Sequence, residues 1–215
     1  IGNDDVSYKR NSTLWRTIEP DNSIYGDCKW RWMVYDLDHA ASEMARANAD
    51  FHSFMIINSN RFYMALRTDE EFCKQFVVTA MDMMNSIFLT ENVEKALNEW
   101  GEDLSYGGDY FLVRPEYMKQ SLVHEFGLSG IEGQIIVDIN DTKAGVVSVN
   151  TLTPALENGP WTGRYFVDYP VTVTAKANPG YRFVGWTGDV EGYEQNLDVA
   201  IAEDGVYVMA VFEKE

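Results

Sequence analysis

The sequence predicts an α+β fold in which a mainly helical first part is followed by a small all-β domain. Three observations predict it. Through most of residues 1–128, apolar side chains recur every three or four positions. After residue 130 the period becomes two, in short runs separated by turn residues. The change falls at "GLSG", residues 127–130, whose first glycine suits the end of a helix. The expected division is therefore 1–128 and 129–215, and the second piece is within the usual domain size.

Each element has its own local reason. "KWRWMVYD", residues 29–36, is the one clear strand of the first part, and it ends on two acids, Asp36 and Asp38. "SNRFYMALR" reads as a short helix. "TDEEFCKQFVVTAMDMMNSIF" places Phe72, Phe76, Ala80, Met83, Met84 and Ile87 on one helical stripe, with Thr68 and Glu71 as a capping box ahead of it. "TENVEKALNEWGEDL" is a further helix capped by Thr90. "RPEYMKQSLVHEFG" is the last, with Pro115 suited to the first helical position and Gly127 to the stop. In the second part "GQIIVDIN", "GVVSVN", "YPVTVTA", "GYRFVGW", "LDVAIA" and "GVYVMAVFE" are predicted strands, and "ANPG" at 177–180 is a turn. "NGPWTG" is expected to be an inserted loop.

Composition narrows the functional classes. Hydrophobic residues make up 46% of the chain, which excludes a disordered protein. No apolar run approaches the roughly 18 residues that span a bilayer. No signal peptide is evident, and "IGNDDVSYKR" is expected to be a mature, trimmed or engineered end. The net charge is −17, shared as −9 over residues 1–128 and −8 over 129–215. With no basic patch, nucleic acid and anionic membrane are not expected partners. Cys28 and Cys73 lack zinc-site spacing, and His39, His52 and His124 form no cluster in sequence. Cys73, in an amphipathic helical pattern, reads as a packed thiol.

The two acids after "WRWMVY" support two readings. On an extended chain Asp36 and Asp38 share a face about 7 Å apart, close enough for one hard cation to engage both. Magnesium with a nucleotide suits such a pair. Equally, Asp38 is a good N-cap for "HAASEMARANA". A second polar cluster lies upstream: Asn3, Asp4, Asp5 and Asn11. Asp5, Asn11 and Asp36 have the chain order of a kinase's proton acceptor, metal-side amide and metal-binding acid. Acids and amides near a chain terminus are also commonly just solvated. The β part shows no nucleophile–base set; Trp161 and Trp186 read as packing residues before they read as sugar platforms.

"NDD", "RNSTLWR", "DNSIYGDCKWRWMVYDLDHA" and "FYMALRTDEEFCKQFVVTAMDMMNSIF", together with "RPEYMKQSLVHEFGLSG", resemble the spore coat protein H (CotH) kinase family over about residues 1–128. The resemblance implies a kinase-like C-terminal lobe. It implies Asp5 as the catalytic acid, Asn11 as a cofactor-side amide, Asp36 as a metal ligand and Asp38 as its support. ATP with Mg2+ or Mn2+ would be the cofactors of the intact parent, and a protein the substrate. Val6 stands where the family has Trp, and "SYKR" is one residue longer than the usual loop, so Asp4 could take the role of Asp5. "HAASEM" also departs from the family after the D-x-D. Nothing ahead of residue 1 supplies a nucleotide-covering loop or phosphate lysine, so the chain is expected to be a C-terminal part, inactive alone. "YPVTVTAKANPGYRFVGWTGDVEG" and "VYVMAVFE" resemble a divergent internalin-type B repeat, a small β-grasp-like module. That likeness implies an extracellular or surface-attached bacterial protein and a role in presentation or adhesion; the alternative to a kinase is a non-catalytic surface-binding protein.

Overall fold

The computed structural model of the chain describes residues 12–34, 61–100 and 108–215 of the 215. In order these form β1 (Ser12–Trp15), β2 (Arg31–Val34), α1 (Arg61–Leu66), α2 (Glu70–Met84), α3 (Thr90–Trp100) and α4 (Gly108–Phe126). There follow β3 (Glu132–Ile139), β4 (Gly145–Val149), β5 (Trp161–Phe166), β6 (Val171–Ala177), β7 (Tyr181–Gly188), β8 (Asn196–Val199) and β9 (Val206–Lys214). The predicted α+β class is what is found. Two compact units are present: one takes described residues 12–34, 61–67, 97–100 and 108–121, the other 68–96 and 122–215.

In the first unit, β1 and β2 pair antiparallel from Ser12↔Val34 to Trp15↔Arg31. The predicted strand at 29–36 begins at Arg31. Before it, Asp27 accepts from the Lys29 N–H at 3.1 Å and pairs with the Arg31 guanidinium at 2.7 Å, so Lys29 and Trp30 stay in the turn. Tyr35 and Asp36 lie outside the described residues. The loop between the strands closes on Gly26, where a Cβ would sit 2.2 Å from the Asp21 carbonyl oxygen. Helix α4 starts at Gly108, so Pro115 lies inside it rather than at its first position. Proline there lacks the N–H that would bond the carbonyl four residues earlier. Upstream of it Tyr110 is fully buried and edge-on to Phe111, while Leu112 and Val113 are exposed.

In the second unit, α2 is capped by Asp69, whose Oδ1 accepts from the Phe72 N–H at 2.8 Å. The expected Thr68–Glu71 box is displaced by one residue, because aspartate at the helix boundary makes the same bond with a charged acceptor. The stripe is displaced too. Val77, Val78, Ala80, Met81 and Asp82 are buried, whereas Met83 and Ile87 are exposed. Thr90 is the first residue of α3 rather than its cap, and the Leu89 carbonyl accepts from the Val93 N–H. The end of α4 follows the sequence: Gly127 is left-handed (φ 65°) and the Leu128 N–H returns to the Val123 carbonyl.

The β part of this unit contains two sheets. Four strands run in the order β5-β3-β9-β7 and three in the order β4-β6-β8. Strands β3 and β9 are parallel; the other pairings are antiparallel. All six predicted strands are present. β5, expected to be part of a loop, is a seventh. Its sequence holds Gly163 and Arg164 and alternates poorly; pairing with β3 from Glu132↔Phe166 to Val137↔Trp161 makes it a strand. Alternate residues turn inward to form the core: Ile135 and Val137, Val147 and Val149, Val171 and Val173, Val208 and Ala210. At Gly145 a Cβ would land 2.5 Å from the Phe212 ring, so only glycine lets β4 approach β9 this closely. The predicted "ANPG" turn is formed, with Gly180 at φ 83° and the Tyr181 N–H bonded to the Asn178 carbonyl.

Candidate functional site

Asp5, Asn11, Asp36 and Asp38, and the alternative Asp4, lie outside the described residues. What is described is the ladder that flanks them. Ser12 pairs with Val34, so one end of the β1–β2 ladder carries both the chain leading back to Asn11 and the chain leading on to Asp36. At the other end sits a cation–aromatic cluster. The Arg31 guanidinium lies 5.9 Å from the Trp15 ring and 5.2 Å from that of Tyr25, and Arg16 lies 5.0 Å from the ring of Trp30. Trp15 and Tyr25 meet edge-on. Asp27 holds Arg31 in this position, and its own carboxyl is lowered by the Lys29 N–H and then by the Arg31 bond. These contacts brace the strand that leads to the D-x-D. Among the described residues no group of three or more His, Cys, Asp or Glu is placed to hold a metal ion.

The second unit has a buried, fully hydrogen-bonded acid that sequence reasoning missed. Asp82, on α2, is buried. Its Oδ1 accepts from the Tyr165 hydroxyl at 2.7 Å and from Asn150 Nδ2 at 3.0 Å. Its Oδ2 accepts from the Thr151 hydroxyl at 2.6 Å and the Thr151 N–H at 2.9 Å. Burial raises the Tyr165 phenol, and the Asp82 charge raises it further. Four donors on two oxygens leave this carboxylate satisfied and shielded from water, which is the condition for burying a charge without a cation. It is thereby a structural acid and not a free base or ligand.

The two tryptophans of the β part are packed. Trp186 is buried, its Nε1 donates to the Glu194 carbonyl at 2.9 Å, and its ring meets Phe183 edge-on. The Trp161 ring lies over Gly163, where a Cβ would come within 2.3 Å of it. A cavity of about 280 Å³ opens beside β4, lined by Ile139, Thr142, Val147, Thr153, Leu156 and Glu157 among others.

These elements define a two-part α+β chain, helices with a flanking hairpin followed by a two-sheet module. Residues 1–146 match the family described as CotH kinase protein, and residues 137–215 match the divergent InlB B-repeat domain. The chain belongs to the CotH kinase protein family and carries the B-repeat-type module after it. The two matches overlap at 137–146, from the end of β3 through the connection to the start of β4. No curated protein matches the chain, and no solved structure does. Among the described residues no helix is long and apolar enough to cross a membrane.

Proposed function

We propose that this chain is the C-terminal, metal-side part of an extracellular or surface-attached bacterial CotH-type kinase. Residues 1–128 are its lobe, and 129–215 a module for surface presentation or binding. The observation that carries this reading is the family match over residues 1–146, which takes in all four candidate site residues. The ladder supports it, since Ser12↔Val34 brings the segments leading to Asn11 and Asp36 to one end. In this reading Asp36, supported by Asp38 and the Asn11 amide, holds a divalent cation whose charge would offset that of the ATP phosphates. Asp5 accepts the proton of the acceptor hydroxyl. These residues supply one side of a phosphoryl-transfer site. Such transfer depends on positioning from both sides of the nucleotide, and no turnover is expected from these residues alone.

Thermal unfolding with and without Mg2+ and ATP tests the site. The expected result is a midpoint raised by the pair together and unchanged by it in Asp36→Ala. An equal shift in both proteins would remove Asp36 from the site. Incorporation of labelled phosphate from ATP tests the inactivity. None is expected, and incorporation abolished by Asp36→Ala would show that the chain is an active kinase. A non-catalytic surface-binding protein is the second reading, favoured by the B-repeat match and by the departures at Val6 and "HAASEM".

A further inference from the structure

The bonds between α2 and the β strands have a direction. At its C-terminal end α2 presents Asp82 and, three residues on and therefore on the same side, Asn85. Asp82 takes donors from Asn150 and Thr151 in the β4–β5 connection and from Tyr165 on β5. Asn85 makes a paired contact with one residue of β5. Its Nδ2 donates to the Arg164 carbonyl at 2.8 Å, and its Oδ1 accepts from the Arg164 N–H at 2.9 Å.

That second contact lies on a sheet edge. β5 is the outer strand of the four-stranded sheet, and its partner β3 lies on one side alone. The Val167 N–H bonds to Ile131, which sets the alternation so that Tyr165 and Gly163 face β3 and Arg164 faces away. The amide of Asn85 thus offers Arg164 one donor and one acceptor, as a neighbouring strand would. Open edges invite pairing with other chains, and covering them is a standard protection. Further along, Lys74 of α2 reaches Asp198 of β8 at 3.5 Å, and Ser129 after α4 bonds both carboxylate oxygens of Asp168.

We infer that the β4–β5 connection and the edge of β5 form a built docking site whose occupant is helix α2 of the same chain, recognised through Asp82 and Asn85. The B-repeat-type module is then an integral support of helix α2, not a spacer detachable from it. Two independent features carry this: a buried carboxylate whose donors all come from the module, and an amide that completes the free edge of a module strand.

Hydrogen–deuterium exchange on the full chain, without nucleotide or metal, tests the inference separately from the kinase reading. In the unmodified protein the amides of Val77–Met84 should be as protected as those of β3 and β9. In Asp82→Ala they should exchange faster by on the order of 10-fold, with β7 changed much less. Unchanged α2 rates in that variant would overturn the proposal, as would α2 opening well before β3 and β9 in the unmodified chain. Should Asp82→Ala fail to fold, Tyr165→Phe and Thr151→Val probe the same contact from the module. Each should speed α2 exchange more than β7 exchange; equal effects would overturn the proposal.

Discussion

At the scale of single residues, Asp82 shows what burial does to a charge. A carboxylate removed from water costs several kcal/mol unless each lone pair is occupied, and here four donors occupy them. Tyr165 is one of the four, and its phenol is held above its ordinary value of 10.0 by burial and by the charge beside it. The unfolded chain gives up this proton near pH 10, whereas the folded chain retains it. The contribution is thus complete below about pH 10 and lost as pH climbs beyond it. Tyr165→Phe should lower stability at neutral pH by about 1–3 kcal/mol, the cost of a lost bond to a buried charge. It should also flatten the alkaline limb of the stability curve. Chemical denaturation across pH 7–11 reads both, and an unaltered alkaline limb would assign it to another group. None of this was legible in the sequence, because the donors stand 68 to 83 residues from Asp82.

At the scale of elements, helix α2 was readable in existence and extent but not in orientation. Periodicity found it; the cap and the covered face were each off by a small step. The cap is Asp69, which stands in the β region of backbone space (φ −96°, ψ 123°) and bonds Phe72. Asp69→Ala should cost about 1 kcal/mol and Thr68→Ala less, measured by thermal unfolding of the full chain. The reverse order would restore the Thr68 box. The stripe through Met83 and Ile87 was misplaced because a helix buries whatever face its partners cover, and those partners are strands distant in sequence. β5 shows the same limit from the other side. Its weak alternation gave no strand signal, and a ladder of six residue pairs with β3 made one. Pro115 fell inside α4, where the helix forgoes a single backbone bond.

At the scale of the whole molecule, charge is the dominant feature. With 34 acids against 17 lysines and arginines, like-charge repulsion acts against the folded chain. Added salt screens it, since the Debye length falls from about 30 Å at 0.01 M to about 8 Å at 0.15 M. The thermal midpoint should therefore rise between these ionic strengths. A fall would mean that exposed pairs such as Lys74–Asp198 and Lys119–Glu116 outweigh the repulsion.

The sequence by itself determined the α+β class, the change of period near residue 130, six of the seven strands after it, and membership of the CotH kinase family. Each of these rests on local pattern: side-chain periodicity, turn glycines and short motifs, all carried by residues close together in the chain. The tertiary structure alone decided that Asp82 is a buried, fully hydrogen-bonded acid, that Asn85 closes the edge of β5, and that Gly145 must be small to admit Phe212. Those facts depend on which distant segments meet. Burial of apolar faces and satisfaction of backbone and carboxylate groups fix that choice, and one-dimensional spacing does not encode it.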